Sequence, residues 1–184
     1  MATASGSDFI DTLERIFETE GSAEYLGEDV SMAEHMIQTA MNAEKAGASD
    51  TMIAAALIHD IGHFAHAQPD PDDWNRNHSE AGSNFLKDHF GPEVCEPVRL
   101  HVNAKRYLCA VEPSYFDLLS NASVHTLELQ GGPMSPEQCA EFETNDWHKD
   151  AVQLRRWEEA GKQEGVVTPK FAHFKPVLER VLGV

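Results

Sequence analysis

The chain has 184 residues, 41% of them hydrophobic, which suits one compact domain with a single core. Its 31 acidic residues against 14 basic ones leave a formal net charge of −17, a surface that repels nucleic-acid backbones and anionic membranes. The longest apolar run, around Met52 to Ile58, is far too short to cross a bilayer. The N-terminal residues lack the basic segment and apolar stretch of a secretory leader. Cys95, Cys109 and Cys139 are odd in number, widely spaced and form no CxxC pair, so they read as thiols of a reducing compartment and the expected address is cytoplasmic. A small anionic substrate is not excluded, because a few buried cations or metals reverse the sign locally.

In chain order, Asp8 to Glu20 reads as an amphipathic helix with Phe9, Leu13, Ile16 and Phe17 on one stripe. Ser31 and Glu34 form a capping box that opens a second helix, which Gly47 ends. A third helix starts at Ser49 or Asp50, is apolar nearly all round through Ile58, and stops near Gly62, which permits a sharp exit. Residues 68–77, rich in Pro, Asp and Asn, read as an acidic loop. Helices are then expected over Ser79 to Phe90, Pro92 to Val102, Pro113 to Leu119 and Ala122 to Leu129. Residues 130–133 break the chain, and Ser135 with Pro136 restarts it. Helices from Trp147 to Gly161 and Phe171 to Leu182 complete an all-α fold, a helical bundle forming a single domain over 1–184 with its core about 25–162.

Ten histidines are more than solubility requires. His59 and Asp60 end the apolar third helix, where adjacent side chains can turn into one cavity. An ionised Asp60 behind such a helix is costly unless paired or metal-bound. His35 lies early in the preceding helix, His78 follows the acidic loop, and His101 ends a predicted helix. Any one of these alone is more readily a packing or surface residue; the ordered series on successive helices points to a metal site. Imidazole and carboxylate donors suit iron, manganese, zinc or nickel better than calcium or magnesium, and a carboxylate can bridge two ions. His66, His89, His125, His148 and His173 fit no such series and are expected on the surface or in packing.

The series H…HD…H…H resembles the signature of the HD-domain superfamily. Residues 25–28, 55–63, 101–108, 129–134 and 154–157 make the chain similar to the mixed-valent diiron oxygenases of that superfamily, in their organophosphonate-cleaving (PhnZ/TmpB-like) branch. The resemblance implies two iron ions, Fe(II)/Fe(III), held by His35, His59, Asp60, His78 and His101, with Asp60 bridging. The last ligand falls three residues after Arg155, where this sequence has Glu158 in place of the usual Asp and Glu159 as a competing neighbour. His63, Lys105, Ser123 and Arg155 are implied to hold phosphonate oxygens, with Gln130 and Gly131 close to the substrate. Tyr25 and Glu28 are implied to gate the iron and recognise the substrate's nitrogen.

The implied reaction is O2-dependent cleavage of the C–P bond in a small organophosphonate. Two substrates fit: 1-hydroxy-2-(trimethylammonio)ethylphosphonate, giving phosphate and glycine betaine, and 2-amino-1-hydroxyethylphosphonate, giving phosphate and glycine. A quaternary ammonium prefers aromatic faces and carboxylate charge, and Trp74 in the predicted loop offers an aromatic wall. Two other classes remain open, a metal-dependent phosphohydrolase acting on a nucleotide or phosphate ester and a non-catalytic HD-fold binding domain. The sequence leaves the oligomeric state open.

Overall fold

In the computed structural model, residues 5–21, 29–64 and 71–184 are described, those of 71–76 by backbone alone. Among them are ten α-helices, two 3-10 turns and no strand. They are α1 (Gly6–Thr19), α2 (Met32–Lys45), α3 (Asp50–Ile58), α4 (Pro71–Leu86), α5 (Pro92–Val111), α6 (Pro113–Phe116), α7 (Asn121–Leu129), α8 (Pro136–Glu143), α9 (His148–Glu159) and α10 (Lys175–Leu182). No helix of the described residues is long and apolar enough to cross a membrane.

Local sequence explains most boundaries. Ser5, Ser31, Ser49, Ser120 and Ser135 each cap a helix by accepting a backbone N–H, and Asp8, Glu34 and Gln138 complete capping boxes. Gly47 takes φ +70° directly after α2, a conformation that favours glycine. Helix α3 is the hub, with every residue from Met52 to Ile58 buried. It is packed by α2, α5, α9 and α10.

Two expectations are corrected. The predicted loop over 68–77 is helical from Pro71 onward, and Trp74 belongs to α4. Proline followed by acidic residues favours a helix's first turn as much as a loop, so composition misplaced the start. Helix α5 does not stop near Val102 but runs to Val111, which puts His101 at mid-helix. Its buried face continues through Ala104, Lys105, Leu108 and Cys109, and a buried lysine interrupts the apolar pattern by which a helix is traced. At the other end of the chain, Phe171–His173 forms a 3-10 turn before α10.

Gly62 is required for a different reason than a sharp exit. It sits in the 3-10 turn Ile61–His63, and a Cβ there would lie 1.9 Å from the His78 carbonyl oxygen and 2.6 Å from the Gly82 nitrogen. Only a residue without a side chain lets this turn touch α4, and that contact carries His78 toward His59 and Asp60.

Candidate metal centre

His59 is the C-cap of α3, where the last carbonyls lack helical partners. Its Nδ1 lies 2.9 Å from the Ala56 oxygen. His101 repeats the device within α5, Nδ1 to the Val98 oxygen at 2.6 Å. His35 makes the equivalent bond across the fold, Nδ1 to the Gly161 oxygen at 3.0 Å. A carbonyl only accepts, so each Nδ1 carries the proton and each Nε2 is left to face inward.

The inward atoms form two trios, His35, His59 and Glu158 in one and Asp60, His78 and His101 in the other, the ligand atoms of each within 4.8 Å of one another. Asp60 sits between them. Its Oδ2 lies 3.6 Å from His35 Nε2 and 3.3 Å from His59 Nε2. Its Oδ1 lies 3.4 Å from His78 Nε2 and 3.5 Å from His101 Nε2. One carboxylate thus addresses each trio with a different oxygen.

The donor set fits metal ions on physical grounds. Nε2 of His35 and His59 are 3.2 Å apart, and those of His78 and His101 are 2.9 Å apart. Burial, with His59 for His35 and His63 for His78, holds both rings well below the usual imidazole range. Burial takes His101 down to about 3. Neutral imidazoles aimed at one another are favourable only with a cation between them. Both Asp60 oxygens and Glu158 Oε2 are buried without a hydrogen-bond partner among the described residues, a cost that a bound cation removes. Burial pushes the Asp60 carboxyl up, and His59, His78 and His63 more than reverse this, so it stays ionised.

Beside the trios lies a cation cluster. Lys105 is buried and donates to Thr126 Oγ1 at 2.9 Å. Arg155, also buried, donates through Nε to the Tyr115 hydroxyl at 2.8 Å and through its terminal nitrogens to Glu158 and Glu159. Ser123 Oγ is 3.3 Å from Arg155 and 2.6 Å from Lys162 Nζ. Burial, then Arg155 and Lys162, push the Lys105 ammonium well below its ordinary value. Buried cations this close to one another mark a candidate anion site.

The other predicted residues are distributed as follows. His63 is buried and stacks on His78, with ring centroids 4.4 Å apart. Gln130 lines a cavity of about 420 Å³ with Asn77, Ser79, Arg99 and Asn103, next in sequence to His78 or near His101. Gly131 has φ +99°, and a Cβ there would meet the Arg106 guanidinium at 3.5 Å, so the turn itself demands glycine. Tyr25 and Glu28 lie outside the described residues, as does His66. His89 stacks on Phe9, His148 bonds the Asn145 oxygen and His173 meets Glu44.

Sequence reasoning missed Tyr115 and Lys162, and it counted Glu159 only as a competing ligand. A signal existed for two of the three. Residues 155, 158, 159 and 162 follow the i, i+3, i+4, i+7 spacing of one helical face, and opposite charges at that spacing imply mutual pairing. Tyr115, from another helix, left none.

Residues 32–139 match the family model described as HD domain. The chain belongs to the HD domain family. Among its relatives is the [1-hydroxy-2-(trimethylamino)ethyl]phosphonate dioxygenase (glycine-betaine-forming) of Leisingera caerulea, 47% identical over 91% of this chain and 87% of the relative. The hydroxymethylphosphonate dioxygenase of Gimesia maris is 42% identical over 86% of this chain and 81% of its own. His35, His59, Asp60, His78, His101, Lys105 and Ser123 fall within the matched segment, while Arg155, Glu158 and Lys162 lie beyond it.

Proposed function

We propose that this HD-domain protein is an oxygenase that uses O2 to break the C–P bond of a 1-hydroxyphosphonate carrying an ammonium group on the next carbon. Its preferred substrate is 1-hydroxy-2-(trimethylammonio)ethylphosphonate, converted to phosphate and glycine betaine, ahead of 2-amino-1-hydroxyethylphosphonate, converted to phosphate and glycine. The observation that carries the reading is a carboxylate shared by two donor trios beside the buried donors Lys105, Ser123 and Arg155. The relatives named as phosphonate dioxygenases support it over a phosphohydrolase.

In this reading His35, His59 and Glu158 would hold one iron and His78 and His101 the other, with Asp60 offering an oxygen to each trio. A mixed-valent iron pair, when bound, supplies O2 activation and the one-electron chemistry. The chain's own residues bind and orient the substrate. Arg155 and Lys105 offer a guanidinium fork and a point charge to a phosphonate dianion, and Ser123 adds a neutral donor. Arrival of the dianion favours the charged form of Lys105, which burial otherwise disfavours. His63, stacked on His78, presents its ring to the same phosphonate oxygens, and Gln130 lines a cavity with Asn77 and Ser79, the sequence neighbours of His78. Tyr25 and Glu28 take the ammonium end.

The test is an anaerobic mixture of iron-loaded protein with each phosphonate, to which O2 is then added. Phosphate and glycine betaine are expected only after O2 enters. Phosphate release from phosphate esters without O2, and none from the phosphonates, overturns the reading in favour of hydrolysis.

A further inference from the structure

Three side-chain donors converge on a single carboxylate oxygen. Glu159 Oε2 accepts from an Arg155 terminal nitrogen, from Ser123 Oγ at 3.3 Å and from Lys162 Nζ at 3.3 Å. Its Oε1 accepts from the Ser120 backbone N–H at 3.3 Å. The carboxylate is 9% exposed and the Lys162 side chain 7%, so these contacts are shielded from water and are stronger than surface pairs. A guanidinium, an ammonium, a hydroxyl and an amide around one oxyanion are the parts of a built anion site.

We propose that Glu159 is a built-in competitor for the oxyanion pocket, its carboxylate holding the Ser123, Arg155 and Lys162 donors that a phosphonate or its product phosphate takes, and that Lys162 is a further cation of that pocket. The inference rests on the reading of the pocket as a phosphonate site. Its physical purpose lies in the product. A pocket with several buried cations retains inorganic phosphate, and binding substrate and transition state equally tightly does not raise turnover. A fixed internal anion on the same donors weakens both ground states and frees the site for the next cycle.

The alternative is that Glu159 merely braces Arg155, and the sign of one effect separates the two. Removing a brace weakens anion binding; removing a competitor strengthens it. Inorganic phosphate is titrated into metal-loaded, full-length protein by calorimetry, and its inhibition constant is measured alongside. Glu159→Gln is expected to bind phosphate about tenfold more tightly, the scale of one charge-assisted contact, with metal content unchanged. Glu159→Asp, whose shorter side chain withdraws from the donors, tightens it less and carries the test should Glu159→Gln fail to fold. Lys162→Met weakens it. Phosphate bound equally or more weakly by both folded, metal-replete Glu159 variants overturns the proposal. If those variants do so while the wild type still releases phosphate with O2, the competitor falls and the reaction stands. If phosphate binding tightens in a protein without O2-dependent turnover, the competitor stands and the reaction falls.

Discussion

Glu158 and Glu159 are neighbours on α9, yet Glu158 stands with His35 and His59 while Glu159 accepts from Lys162 and Ser123. Adjacent helical residues point about 100° apart, so a regular helix gives the metal trio only one of them. Glu158→Ala is expected to lose one of the two proposed metals preferentially, and Glu159→Ala to retain both. Glu158→Asp should keep both and shift the potential of the pair. Elemental analysis of the variants decides; metal loss in Glu159→Ala with full loading of Glu158→Ala reverses the assignment.

Asp60 serves both trios through separate oxygens. Asp60→Ala should therefore lower the content of both metals and abolish turnover, whereas a residue of one trio, such as His35→Ala, should deplete one metal more than the other. Two metals per chain retained in Asp60→Ala would contradict the bridging role.

Lys105 and Arg155 should separate by metal content. Lys105→Met removes a charge-assisted contact worth about 1.5–3 kcal/mol, or about ten- to a hundred-fold in affinity for the phosphonate. It should leave the metals in place, because Lys105 donates to Thr126 and an ammonium cannot ligate a metal. Arg155 also donates to Glu158, so Arg155→Ala should weaken phosphonate binding and loosen the metal beside Glu158 as well. Equal metal content and unchanged KM in both variants would place the phosphonate elsewhere.

Gly62→Ala is expected to destabilise the fold by at least about 1–3 kcal/mol, the ordinary scale of overpacking, because its Cβ meets backbone atoms of α4 that cannot swing aside. The displaced α4 takes His78 with it, so metal content should fall together with the melting temperature. A variant of unchanged stability and loading would show that the turn and helix part freely.

The metal-free protein should lose stability as pH falls. His35, His63, His78 and His101 are all held below their ordinary value of 6.5, by burial first. Below that value the unfolded chain takes up protons that the fold refuses, at about 1.4 kcal/mol per pH unit for each such group. The contribution is complete above 6.5 and drains away toward lower pH, over a window that for His101 extends to about 3. Melting curves should be level from about pH 7.5 to about pH 6.5 and show a falling Tm from there to about pH 5.5. A flat profile would mean that these rings are not held neutral.

Much of the architecture was legible because it is written locally. A capping serine with a partner three residues on, as at Ser31 and Ser135, announces a helix whatever packs against it. The apolar run before His59 announces the hub, and a histidine and an aspartate at its end announce a charge needing a partner. The start of α4 and the end of α5 were misjudged where local signals serve two structures or where a buried lysine breaks the pattern.

By itself, the sequence determined the all-helical fold through short-range spacing and residue type, and the ordered histidines together with the HD-domain resemblance marked the candidate ligands. Only the tertiary structure decided which of two adjacent glutamates meets the histidines, that Tyr115 and Lys162 join the cation cluster, and that Gly62 is kept bare by α4. Helical periodicity states which residues share a face, but not what that face will meet. The answer comes from packing segments as far apart as His35 and Gly161, 126 residues distant in the chain, and nothing in either segment alone encodes their contact.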